Sequence, residues 1–335
     1  MRSEIALLRD RSPLQVAFVN MTLPPSLQER CHWLAPPEDD PSRGAFVLYW
    51  MHNALRAEEN PALDVALAAA RARDLPLLVY QGLGEIYPYA SDRHHAFILQ
   101  GARDVQRQFA DRGIRYAFQL QRPGQRGSYL KQLGQQADLI VTEEIPVEPL
   151  SGWLDRLRQR TGRPLVVVDT SCIIPMRSVL GDFHDVASFR TATSEEFSHR
   201  VPRRWEAQPF DVAAYTSDLP FVPLDLQNEC LARLIAECEI DHTVGPVADT
   251  PGGSRAGYRR WQTFLAEGLS HYAERRHDAA CLGTSRMSAY LHYGMVSPFR
   301  LAREAAASGA EAFLDALLVW RELAFHFCLR HGDEL

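Results

Sequence analysis

Phe46-Val47-Leu48-Tyr49-Trp50 is an unbroken run of apolar and aromatic side chains. A strand with one wet face alternates polar and apolar residues, so a continuous run of this length reads as a strand buried on both faces. Four more runs of strand length follow: Leu75-Pro76-Leu77-Leu78-Val79-Tyr80, Ile114 to Leu120, Leu139-Ile140-Val141-Thr142 and Leu165-Val166-Val167-Val168. The segments between them can hold helices. This βαβ pattern predicts an α/β domain over 45–170 with a doubly wound, Rossmann-like parallel sheet and right-handed crossovers. Pro76 fits only at the start of its strand, where no ladder hydrogen bond is lost. No G-x-G-x-x-G follows the first run, so motif alone announces no ligand for the sheet. Glu143-Glu144 closes the fourth run where sheet ligands often bind, but paired acids at a strand end read first as solvated.

Outside the sheet the pattern changes. Residues 1–44 are rich in proline, with Pro24-Pro25 and Pro36-Pro37, and read as an arm packed on the sheet domain. Residues 171–250 show no sustained period and read as a linker with short helices. From 251 to 335 helical spacing dominates. Trp261, Leu265, Leu269 and Tyr272 share one helix face, as do Phe313, Leu317, Trp320, Ala324 and Phe327. Core packing explains most of these aromatics by itself.

The composition, 46% hydrophobic and 23% charged, is that of a globular protein, and no apolar run approaches the length of a membrane span. The N-terminus lacks a secretory pattern, which points to the cytoplasm. Six scattered cysteines without a C-x-x-C pair argue for reduced thiols and against zinc or a disulfide framework. The histidines show no ligand spacing, so no metal site is expected. A net charge of −6 does not exclude a local basic groove, and since Lys131 is the single lysine, arginine must supply any phosphate contacts. Hydrolase and P-loop motifs are absent.

Gly283-Thr284-Ser285-Arg286-Met287-Ser288-Ala289-Tyr290-Leu291-His292-Tyr293-Gly294 packs hydroxyls and an arginine onto what reads as a helix start. Unpaired N–H groups and the macrodipole make such a start able to bind a diphosphate, with Ser285 and Ser288 on one face of the first turn and Arg286 free to add a guanidinium fork. A plain N-cap reads the same way. One helix length later stands Leu314-Asp315-Ala316-Leu317-Leu318-Val319-Trp320-Arg321-Glu322-Leu323-Ala324-Phe325-His326-Phe327-Cys328.

These two motifs together resemble the opening of the flavin domain of the photolyase/cryptochrome family, and are most similar to class II cyclobutane-dimer photolyases. The resemblance implies an antenna-type α/β domain, a linker, and an all-helical FAD-binding domain that is incomplete here. Family members continue with a second helical portion, whereas this sequence stops at Leu335, so truncation at the C-terminus is expected. Carried over residue by residue, Tyr272, Thr284, Ser285, Arg286, Met287 and Ser288 contact FAD. Trp320 lines the substrate cavity as the catalytic and DNA-contacting tryptophan, with Arg321 beside it. An antenna chromophore, deazaflavin or folate, is implied without named residues. The implied partner is DNA containing pyrimidine dimers, bound by a monomer or by this chain with a separately encoded C-terminal half.

Two departures stand out. Ala316 occupies the place of a glutamate that the family carries four residues before the tryptophan. Asp315 is a poor substitute because an α-helix turns it about 100° away. Arg276-His277-Asp278-Ala279 replaces the commoner Arg-Asn-Asp-Pro. A cryptochrome-like photosensor or an inactive remnant is therefore a rival, and a noncatalytic nucleotide-binding module is a second.

Overall fold

The computed structural model describes residues 23–36 and 43–332. Most of the expected N-terminal arm lies outside those residues. Six strands form the sheet: β1 Cys31–Ala35, β2 Val47–Trp50, β3 Leu77–Leu83, β4 Arg115–Leu120, β5 Leu139–Glu143 and β6 Leu165–Val168, in the order β1-β6-β5-β2-β3-β4. All neighbours are parallel except β1, which pairs antiparallel with β6 at one edge. The five apolar runs are the five parallel strands. β1 was not expected: Cys-His-Trp-Leu-Ala is half-buried along its length and carries no clear alternation. Pro76 precedes β3 and its carbonyl accepts from Val47 N at 2.9 Å.

The pleat sends alternate side chains to two covered faces. Val47 and Tyr49 join a large core that continues into the helical region, while Phe46, Leu48 and Trp50 join a smaller one with Leu133, Leu154 and Leu157. Among the described residues the helices are α1 Pro25–Gln28, α2 Pro61–Arg73, α3 Asp92–Ala110, α4 Tyr129–Gln136, α5 Leu150–Thr161, α6 Val186–Arg200, α7 Leu231–Ala236, α8 Ser254–Glu267, α9 Tyr272–Arg275, α10 Ser288–His292, α11 Pro298–Ala307, α12 Glu311–Leu314 and α13 Arg321–His331. Asn60 caps α2, its side-chain oxygen accepting from Ala62 N and Leu63 N.

Three sequence expectations need correction. The stretch after residue 170 holds a helix of 15 residues, α6, whose buried side chains are only Phe189, Thr193 and Phe197. That narrow stripe gives almost no periodic signal. The face expected to run from Trp261 to Tyr272 is interrupted: α8 ends before Gly268, and a 3-10 turn over Leu269–His271 re-aims the chain into α9. Finally, Asp315–Trp320 forms a π-helical segment between α12 and α13. One extra residue per turn shifts every side chain beyond it around the helix.

The helical region docks on the sheet through backbone and a buried arginine. Leu55 N donates to Tyr293 O at 3.2 Å, and Arg56, 2% exposed, donates to Gly294 O, Thr170 O and Glu59 O at 3.0 to 3.1 Å. Gly294 has φ +59°, and a Cβ there would lie 2.1 Å from Asn53 O. Only glycine satisfies both constraints.

Candidate functional site

The chain runs from β2 outward to β4, then returns to the other side of β2 with β5. The sheet therefore has its switch point between β2 and β5, and ligands of such sheets bind beyond the strand ends at that crevice. A cavity of about 560 Å³ opens there. The sheet contributes Asn53, just after β2, together with Ile145, Pro146 and Val147 after β5 and Leu150 at the start of α5. Opposite stand Tyr272, Ser285, Met287, Ser288, Leu291 and His292. The helix Glu311–His331 closes a third side with Phe313, Ala316, Leu317, Arg321, Ala324, Phe325 and Cys328.

Hydroxyls and amides thus face an apolar wall across a volume typical of cofactor sites. Burial, with His94 nearby, holds the His292 ring below its ordinary pKa, so a neutral imidazole faces the cavity at pH 7. Arg321 is fixed by donating to Ser171 O at 2.7 Å and by lying 4.8 Å over the Phe325 ring.

Glu322, next to it, is 3% exposed and accepts from Ile173 N at 2.7 Å and Ile174 N at 3.3 Å. Burial pushes its pKa up to about 8 against those two donors. Arg321 and Glu322 are thus two separate anchors for the segment after β6.

The sequence-expected residues divide. Tyr272, Ser285, Met287, Ser288 and Arg321 line this cavity. Thr284 and Arg286 line a neighbouring one of about 570 Å³, shared with Ser285. The helix starts later than read: α10 begins at Ser288, and Ser285 Oγ accepts from Met287 N at 3.4 Å in the turn before it. Arg286 has φ +54°, a left-handed conformation seldom held by a non-glycine residue. Its guanidinium is committed to Asp249, 2.6 and 3.0 Å from the two oxygens, and holds that carboxyl well below its usual range. It is no open fork.

Trp320 lies outside the cavity wall, 55% exposed, with its Nε1 donating to Asp315 Oδ2 at 3.2 Å. This corrects the expected direction of Asp315. In the π segment, i and i+5 face each other, so Asp315 shares a face with Trp320, and Ala316 shares the cavity face with Arg321.

Sequence reasoning missed the sheet's share of the cavity. Asn53 and Ile145–Leu150 belong to no motif, and only the strand order identifies them. It also misjudged Glu143 and Glu144, which are 0% and 4% exposed. Glu143 accepts from Tyr49 Oη at 2.6 Å and His52 N at 3.0 Å, and Glu144 from Arg177 Nη2 at 2.6 Å.

A DNA photolyase family model matches residues 47–208. The deoxyribodipyrimidine photo-lyase of Methanothermobacter thermautotrophicus is 28% identical over 296 residues, 87% of this chain and 63% of its own length. The chain therefore carries a DNA photolyase family-model domain and is similar to members of the photolyase/cryptochrome family. Two solved members of the fold agree: a Synechocystis cryptochrome (TM-score 0.66, 15% identity, covering 88% of this chain and 63% of that one) and a Sulfolobus tokodaii photolyase whose structure holds two FAD molecules (TM-score 0.62, 16% identity, covering 86% and 60%). This chain thus spans less than two thirds of the length of the relatives it matches. The FAD implied by the family fits the cavity. Leu150, Phe313, Leu317 and Phe325 suit a flat aromatic ring system, and Ser285, Ser288, Tyr272 and Arg321 suit a ribityl and diphosphate chain.

Proposed function

We propose that this chain contributes to a cytoplasmic, light-dependent flavoprotein that splits cyclobutane pyrimidine dimers in DNA. One observation carries the reading: the hydroxyls of Ser285 and Ser288 face the apolar side of the Glu311–His331 helix across a cavity at the sheet's switch point. Bound there, reduced FAD would supply, on excitation by light, the electron that opens the cyclobutane ring.

The protein's part is positioning and exclusion of water. Ser285, Ser288 and Tyr272 bind the polar chain of the cofactor, and Arg321 adds a charge for its phosphates or for the DNA backbone. Thr284, Met287 and Arg286 shape that turn, Arg286 by tying it to Asp249. Trp320, exposed at the outer side of the same helix, offers a stacking face to a pyrimidine dimer turned out of the duplex, an interaction worth roughly 1–3 kcal/mol per base. An aromatic cavity of about 530 Å³ beyond β2, β3 and β4, lined by Trp50, Tyr80, Tyr87 and Tyr129, is the proposed seat of an antenna chromophore.

The test is repair of a UV-irradiated thymine oligonucleotide by the purified chain with added FAD under blue light. Restored thymine in light and none in darkness supports the reading. FAD binding without restored thymine turns it into a photosensor. Repair that Ala316→Glu improves in a chain extended to the length of its relatives would show that the missing carboxyl limits the reaction.

A further inference from the structure

Away from the three cavities, ligand-type side chains from two distant parts of the chain meet on the outer surface. Asp182 and His184 lie in the irregular segment before α6, and His331 is the last residue of α13. His331 Nε2 stands 2.9 Å from Asp182 Oδ1, and His184 Nε2 stands 3.2 Å from Asp182 Oδ2. One ligand atom from each of the three falls within 4.8 Å of the others.

The surroundings hold this geometry. His326 meets Gly181 O at 3.1 Å, Arg330 donates to Val179 O at 3.4 Å, and the Phe327 ring lies 4.6 Å from that of His331. Both imidazoles therefore arrive at opposite oxygens of one carboxylate with their supporting backbone already fixed. A single Asp–His hydrogen bond is commonplace. Two Nε2 atoms converging on one carboxylate, one of them from His331, 149 positions beyond Asp182, form a donor set.

We infer that Asp182, His184 and His331 bind a divalent transition ion, Zn²⁺ before others, with water completing the coordination. Two imidazoles and one carboxylate select a borderline ion over Mg²⁺ or Ca²⁺, which favour all-oxygen shells. Nitrogen and oxygen ligands at about 2.0–2.2 Å from one tetrahedral ion stand roughly 3.3 Å apart, close to the spacing already present. Each imidazole presents its Nε2 lone pair to the metal with the ring proton on Nδ1, and because protons compete with the ion for these ligands, binding weakens as pH falls. The ion would clip the segment after β6 to the end of α13, across the region where Arg321 and Glu322 already anchor it.

The test uses tag-free, chelator-treated chain titrated calorimetrically with ZnCl₂ and separately with MgCl₂. One Zn²⁺ per chain is expected, with no Mg²⁺ uptake. His184 is two-thirds exposed at its side chain (66%), so His184→Ala should leave the metal-free melting temperature unchanged. The same variant should weaken Zn²⁺ binding by at least about tenfold, as should Asp182→Asn. His277→Ala, at an exposed histidine elsewhere, should change nothing. No Zn²⁺ binding up to millimolar concentration, or binding that His184→Ala and Asp182→Asn leave intact, overturns the assignment and leaves two Asp–His ion pairs only.

Discussion

The strands of the sheet and the helices around the cavity differ in how completely they seal their apolar side chains. Phe46, Val47, Leu48 and Tyr49 are at 0% exposure, sealed on both faces of the sheet, whereas the helical region leaves Leu282 at 90% and Trp320 at 55% and turns Leu317 and Phe325 toward an open cavity. A parallel sheet is finished by its own crossover helices. The helices after residue 254 instead close one another only in part, and the space they leave is where a ligand can enter. One core runs through both regions, and the site lies at their junction.

That contrast is broken most severely at the joint itself. Gly294→Ala forces a positive φ on alanine and drives Cβ into Asn53 O, so unfolding in urea should show a loss of about 3–5 kcal/mol. A cost below 1 kcal/mol would mean that the helical region rides loosely on the sheet.

A milder probe is Glu322→Gln. With its pKa raised to about 8 from an ordinary 4.5, Glu322 keeps a proton in the folded chain that the unfolded chain has lost. Its contribution to stability is fully present below about 4.5 and falls as pH rises toward 8, with a slope no steeper than about 1.4 kcal/mol per pH unit, the limit for one proton. The glutamine variant should lack that decline. Asp64, raised by burial to about 6, acts in the same direction in both proteins, so the difference between their pH–stability curves isolates Glu322. Parallel curves would show that the carboxyl ionises freely on both sides of folding.

Asp315→Asn probes the exposed side of the π segment. It weakens a surface pair with Arg190 and the bond to Trp320, and should cost about 0.5 kcal/mol or less by thermal unfolding. A cost of several kcal/mol would make the π segment depend on that carboxylate.

The same contrast explains what the sequence discloses. Buried parallel strands are local apolar runs, so Phe46–Trp50 and its four successors identify the sheet unaided. Tyr272, Ser285 and Ser288 carry hydroxyls in a recognisable motif, and they do face one cavity. Asn53 and Ile145 reach it through strand order, which no local pattern encodes. Trp320 and Asp315 were read on an α-helical wheel, and the π segment rotates both. Glu143 and Glu144 looked like surface acids because burial with backbone, tyrosine or arginine donors is a tertiary property.

The central claim is that the cavity bounded by Ser285, Ser288 and Ala316 holds the flavin. Titration of FAD into the chain in darkness, followed by flavin fluorescence, tests it directly when repeated with Ala316→Trp, which fills that cavity, and Thr263→Trp, which fills the neighbouring one. The account predicts saturable binding that Ala316→Trp weakens by at least about tenfold and Thr263→Trp leaves unchanged. Absence of saturable binding, or binding that survives Ala316→Trp intact, would contradict it.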